Sequence, residues 1–398
     1  MKEYLYKELV SEKASIWFIN ESDHLEIRIK ASTVLLFAII QGAPVYVLFS
    51  QEKIGNYNIL LDACIIFDSA TNPCVISGVV RRRDEHLAIK SLNNHTPIAI
   101  CLYNELDMCV AHCLWYEEGV KFTNIINFMN ENDFYHGKYI NDEFTPVLDN
   151  FERQLNSIFY AKNIDKYSLK FSFSINQWKY INIFSCTSND VFKNNINTDD
   201  EGNYLESLVG TALNAIFQKN VHKKPEITND ILRRELTDVI SYYNKGFFLF
   251  ESKALSSLQT DYSRPMERKT TSVNAQIKKG IRQLIGAVRK IRSDVVIKNS
   301  KGEVLVFDRT QVPHCIVVVS ELFNVDHQDI VIELMKASVK SKSYFHVVDL
   351  TELLFLIKAA CHETLRPERF DVILTNRFNF FCQNRTINFR SKLDIPFE

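Results

Sequence analysis

The rhythm of hydrophobic and polar positions changes along the chain and predicts where strands give way to helices. In the first half, alternating or continuous apolar runs over residues 44–50, 58–68, 74–80, 97–103 and 108–116 predict strands. Residues 16–30 predict two more, around a turn at 21–23. Helices are predicted over 32–41, 84–92, 122–134 and 145–160, and a hairpin over 167–174 and 178–186. Residues 187–203 are polar and aperiodic, which predicts a link between two halves. Beyond it, residues 203–218 predict a helix burying Leu205, Leu208, Val209, Ala212, Leu213, Ile216 and Phe217. The cleanest amphipathic helix covers 272–292, with Ile277, Ile281, Leu284, Val288 and Ile291 at spacings of three and four. Strands at 316–319 and 344–348 alternate with helices at 327–339 and 350–360. The tail over 370–390 alternates apolar and polar residues, which predicts strands at a sheet edge.

The most specific pattern lies between the two long helices of the second half. Residues 232–243 and 247–255 are strand-like and flank Asn244-Lys245-Gly246, a tight-turn sequence. With a two-residue turn at Asn244-Lys245, cross-strand partners have numbers summing to 489, which sets Asp238 opposite Glu251. Lys253 projects from the same face because the strand period is two. A three-residue loop would shift the pairing by one, and a bulge could restore it. Phe247-Phe248-Leu249-Phe250 is apolar on both faces, which predicts a central strand. Carboxylates at the end of such a strand are expensive to bury unless something binds them, and a divalent cation is the usual ligand. Glu235, three positions before Asp238, would point to the opposite face of a continuous strand and is kept in reserve.

These residues resemble the motif of the PD-(D/E)xK nuclease superfamily. Thr237-Asp238 stands at the PD position, with threonine for proline, and Glu251-Ser252-Lys253 stands at (D/E)xK. Glu206 lies on the preceding helix, where many members carry another acid, and Gln276 lies on the following helix, where some carry a functional glutamine. The resemblance covers about residues 200–320. It implies an α/β fold, with a restriction-endonuclease-like mixed sheet flanked by helices in residues 200–398 and an N-terminal α+β accessory domain in residues 1–190. It also implies a Mg²⁺ site, with Mn²⁺ as a substitute, held by Asp238, Glu251, the Ser252 carbonyl and Glu206. Lys253 would orient the attacking water or stabilise developing charge, and Gln276 would position water or touch the substrate backbone.

Composition bounds this expectation. A chain of 398 residues with 46% hydrophobic and 24% charged content is long enough for about two globular domains. Only 11 glycines and 9 prolines argue against long flexible linkers. The longest apolar stretch, residues 34–40, is too short to cross a membrane, and the charged start is no signal peptide. Nine cysteines without a paired framework predict reduced thiols and a cytoplasmic setting. Cys109, His112 and Cys113 look like a metal cluster, but no second ligand pair follows at zinc spacing, so strand positions are the better reading.

Net charge is −1, yet residues 1–200 carry 18 Lys/Arg against 25 Asp/Glu, while residues 201–398 carry 29 against 23. The segment 264–292 holds nine basic residues and one acid. A basic loop and helix beside an acidic site suit a polyanion, so Arg268, Lys269, Lys279, Arg282 and Gln283 are candidate nucleic-acid contacts. The first half shows no phosphate-binding loop and no nucleophile elbow; a protein partner or homodimer contact is open for it. The expectation is Mg²⁺-dependent endo- or exonucleolytic hydrolysis of DNA, with defence against foreign DNA as a setting drawn by analogy of fold. RNA cleavage, or a non-catalytic nucleic-acid-binding scaffold subunit, are the alternatives. Acids and lysine converging around a metal-sized gap favour the enzyme; Lys253 plugging that gap in a salt bridge to both acids favours the scaffold.

Overall fold

The computed structural model describes residues 14–21, 24–68, 73–92, 96–116, 122–161, 167–186, 191–197, 200–229, 232–254, 266–293, 295–320, 322, 327–361 and 365–387. The chain forms two compact units, Met1–Ile181 with Thr260–Pro265, and Asn182–Gln259 with Met266–Glu398. Both mix helices with sheets.

In the first unit β1 (Ser15–Glu21), β2 (His24–Lys30), α1 (Thr33–Ile40), β3 (Val45–Ile54), β4 (Tyr57–Ile66), β5 (Cys74–Val80), α2 (Arg83–Lys90), β6 (Ile98–Tyr103), β7 (Cys109–Trp115), α3 (Thr123–Glu131), α4 (Asn141–Ala161), β8 (Ser168–Phe171) and β9 (Lys179–Tyr180) follow in order. They build a five-stranded sheet, β1-β2-β6-β7-β9, and a four-stranded one, β5-β4-β3-β8. Helix α4 lays Phe144, Phe151 and Leu155 on the alternate residues Ile59, Leu61, Ala63 and Ile65 of β4, as a half-buried sheet face requires. The hairpin expected over 167–186 does not form. β8 joins the edge of β3 and β9 joins β7, because each short run finds a longer partner elsewhere.

The second unit opens with a hairpin of β10 (Ile183–Cys186), within the strand expected over 178–186, and β11 (Val191–Asn194), inside the stretch expected to be a link. Helix α5 (Glu201–Phe217) starts at Asp200, whose side chain accepts the Asn203 N–H and caps the first turn. Next come β12 (Val221–Lys223), β13 (Glu226–Asn229), β14 (Leu232–Glu235), β15 (Val239–Tyr243), β16 (Gly246–Lys253), α6 (Met266–Arg292), β17 (Val296–Lys298), β18 (His314–Val319), α7 (Gln328–Ser341), β19 (Tyr344–Asp349), α8 (Leu350–Ala360) and α9 (Arg366–Asn384). The central sheet runs β12-β15-β16-β18-β19, antiparallel as far as β16 and parallel beyond it. A separate arm runs β14-β13-β17.

Residues of α6 and α7 pack on one face of the central sheet, where Val273, Ile277, Ile281, Leu284 and Val288 meet Ile240, Leu249, Val317 and Val347. On the other side the rings of Phe217, Phe248 and Phe370 pack α5, β16 and α9 together. Helix α9 replaces the strands expected in the tail. Its buried residues Phe370, Leu374, Arg377 and Phe381 are spaced by three and four, a helical stripe that the local apolar alternation hides. The helix docks through a buried polar chain. Arg377 donates to Glu352 (2.8 Å) and to the Val347 carbonyl (2.7 Å), and approaches His346 Nδ1 at 3.5 Å. His346 meets His314 at 3.0 Å, and Asp371 accepts from both His314 (2.8 Å) and the Tyr243 hydroxyl. Among the described residues no helix is long and apolar enough to cross a membrane.

Candidate active site

The β15–β16 hairpin turns on Asn244-Lys245, pairing Tyr243 with Gly246 and Val239 with Phe250. This is the register derived from the two-residue turn, and it carries Asp238, just ahead of β15, to the level of Glu251. All eight residues of β16 are buried. Thr237 donates its hydroxyl to the Phe250 carbonyl (2.7 Å), and Asp238 accepts the Ser252 N–H on Oδ2 (2.6 Å). These two bonds continue the ladder through side chains where the backbone pairing stops. The Asp238 carbonyl accepts from the N–H of Lys224 (2.7 Å), a non-glycine residue held in the left-handed region at φ 46°.

Lys253 stands between the acids. Its Nζ lies 2.7 Å from Glu251 Oε2 and 3.8 Å from Asp238 Oδ2, and it also donates to the Ser252 carbonyl (3.2 Å). Helix α6 passes close above it at Gly280, where a β-carbon would lie 3.0 Å from Val317 Cγ1 and 3.5 Å from Lys253 Cε. Glycine is therefore what lets the helix cover the lysine stem. Glu206, on α5, turns its buried Oε2 to Lys224 at 3.2 Å and to Lys223 at 3.9 Å.

Burial pushes the Glu251 carboxyl up to about 7, with help from the Asp238 charge and opposition from Lys253. The same causes, burial and then Asp238, raise Glu206 and Glu235. Three glutamates thus feel the charge of Asp238. Glu235 belongs to this group, contrary to the expectation that it faces away. Alternation holds only along one continuous strand, and the chain leaves the arm after Glu235 and enters the central sheet at Val239.

The donor set is all oxygen and largely desolvated, which is the chemistry a hard divalent cation takes. Among the described residues, however, no three His, Cys, Asp or Glu side chains stand close enough together to form a ligand group, and Cys109, His112 and Cys113 do not form one either. Lys253 holds Glu251 and approaches Asp238, so the acids are partnered by a cation of the chain itself.

Beside the acids lies a cavity of about 650 Å³, lined by Glu235, Thr237 and Glu251 at one end and by Lys279, Arg282, Gln283, Arg289, Lys290 and Arg234 along its sides. Lys279, Arg282 and Gln283 are therefore where a substrate contact would need them. Gln276 is half-buried one turn ahead of Gly280 and does not line the cavity. Arg268 and Lys269 fall in the first turn of α6, and their side chains lie outside the described residues. Arg234, Lys224 and Glu235 were missed as site residues; the signal available was Arg233-Arg234-Glu235 directly ahead of Asp238. No family model matches the chain, and no curated protein or solved structure is significantly similar to it.

Proposed function

We propose that the second unit is a metal-dependent nuclease of PD-(D/E)xK type that hydrolyses phosphodiester bonds of DNA. The observation that carries the reading is the meeting of Asp238, Glu251 and Lys253 at the buried end of β16, where Glu251 lines a cavity that also holds Arg234, Lys279, Arg282, Arg289 and Lys290. The antiparallel hairpin, the covering helix α6 and the parallel strands β18 and β19 supply the restriction-endonuclease-like order in support. Asp238, Glu251, the Ser252 carbonyl and Glu206 would hold Mg²⁺, and the bound ion would lower the pKa of a water and neutralise phosphate charge. Burial keeps the Glu251 carboxyl ready to exchange a proton or an ammonium partner for a stronger cation. Lys253, released from Glu251, has its ammonium at the end of a stem fixed under Gly280, placed to orient water or meet charge developing on the phosphate.

The test is cleavage of supercoiled plasmid, linear duplex, single-stranded DNA and RNA in Mg²⁺ or Mn²⁺, with Asp238→Ala, Lys253→Ala and EDTA as controls. Metal-dependent cutting lost in both variants supports the enzyme and identifies its substrate; cutting that survives both sinks the assignment.

A second reading has its own observation. Lys253 contacts Glu251 and lies within ion-pair distance of Asp238, the arrangement expected of a nuclease-fold scaffold that binds nucleic acid without cutting it. Calorimetry separates the two: Mg²⁺ binding that requires Asp238 favours the enzyme, and none at millimolar metal favours the scaffold.

A further inference from the structure

The cavity beside the acids has a shape that the catalytic proposal does not use, and its cations carry a further reading. Its floor is a stripe along α6, with Lys279, Arg282, Gly286 and Lys290 at spacings of three and four, spanning about 16 Å at the helical rise. Arg234, on β14 of the arm, faces this stripe across the space. Arg234, Lys279, Arg282, Arg289 and Lys290 make no ion pair among the described residues. Like charges concentrated in one concave wall destabilise the protein alone and become favourable only when a polyanion enters.

Gly286 is the second, independent observation. Glycine inside a helix is unfavourable relative to alanine and needs a reason. Gly280, in the same helix, has one, because it lies against Val317 and Lys253. A β-carbon at Gly286 would meet no atom within 4 Å, so no packing demands glycine there. What glycine does at this position is keep the floor of the cavity open.

We infer that this groove between β14 and α6 takes a single-stranded segment of polynucleotide, held through its phosphates by Arg234 on one wall and Lys279, Arg282, Arg289 and Lys290 on the other, with the strand leading to Glu251. The inference rests on the nuclease reading for its direction but not for its binding. A volume of about 650 Å³ falls within the roughly 300–1,000 Å³ of pockets that enclose small ligands. A stretch of one or two nucleotides fits such a space, whereas paired strands, which double the volume of every step, exceed it. Exclusion of the second strand is what makes the site selective.

The experiment is fluorescence anisotropy in EDTA, where no cutting occurs, with a labelled single-stranded DNA, its duplex and an RNA of the same sequence. Single strands are expected to bind at least tenfold tighter than the duplex. Gly286→Leu, whose β-carbon meets no atom within 4 Å, is expected to weaken single-strand binding about tenfold while its melting temperature does not fall. Arg234→Glu is expected to weaken it similarly and to lower the salt slope by about one. Equal affinity for duplex, full affinity in Gly286→Leu, or no binding of any strand overturns the groove. RNA bound more tightly than DNA leaves the groove standing and makes RNA its occupant. Single-strand binding without metal-dependent cleavage would retain the groove and remove the nuclease, whereas cleavage indifferent to Gly286→Leu would do the reverse.

Discussion

Two buried polar clusters sit towards opposite ends of the central sheet, and they are built on different terms. At the end near the turn, Arg377 can only donate, so His346 Nδ1 accepts from it and His346 Nε2–H is left to donate to His314. His314 then donates to Asp371, which Tyr243 also serves. Each atom of this relay has a partner, and burial holds both imidazoles below their ordinary pKa and neutral. At the other end, Asp238, Glu206, Glu235 and Glu251 are set among Lys223, Lys224 and Lys253, Ser252 Oγ is buried without a hydrogen-bond partner, and Glu235 and Glu251 line a cavity. A saturated network fastens a helix to a sheet; an unsaturated one beside a cavity is a place for something to bind.

Substitution should separate the two ends. The largest effect is expected for Lys253→Ala, which should lower metal-dependent cleavage by about 10²–10⁴-fold, in the range of a lost proton-transfer or charge-stabilising group. The control His346→Gln should leave the cleavage rate per folded molecule unchanged; if both variants lose activity alike, the division into a fastening end and a binding end is wrong. Arg377→Ala strands Glu352 as a buried, unpaired charge and should destabilise the second unit by about 3–5 kcal/mol in denaturant unfolding.

The acid limb of stability sharpens the comparison. His346 is held well below its ordinary pKa by burial, with His314 and Arg377 adding to the effect, so below about pH 6.5 the unfolded chain takes up protons that the folded chain refuses. Its contribution is present above that pH and is lost as pH falls; melting curves of His346→Gln should show a shallower acid decline than wild type. The smallest effect is expected for Glu251→Gln. Removing a desolvated carboxylate from a crowded site should leave stability unchanged or raise it by about 1 kcal/mol while cleavage fails. A loss of several kcal/mol would mean that Glu251 serves the fold rather than a ligand.

Local rules were legible in the sequence and distant ones were not. A two-residue turn fixes hairpin register, so the meeting of Asp238 with Glu251 followed from counting. The stripe of α6 followed from its period, and the charge run singled out Lys279 and Arg282, which line the cavity. Glu235 was misjudged because alternation says nothing about where a chain changes sheets. The α9 segment read as strands because Phe378, Phe380 and Phe381 imitate alternation, and the buried role of Arg377 depends on His346 and Glu352, partners 25 and more residues away. β8 and β9 found partners across the sequence that no local pattern announces.

Leu236 to Asp238 carries the chain from the arm into the central sheet, and it is pinned from both sides. Leu236 N–H bonds to the Pro225 carbonyl in the arm, and Thr237 and Asp238 bond to β16. Three residues fastened in this way act as a rigid crank rather than a joint. Arg234 of the cavity wall and the carboxylate of Asp238 are thus set by one short, fastened piece of backbone.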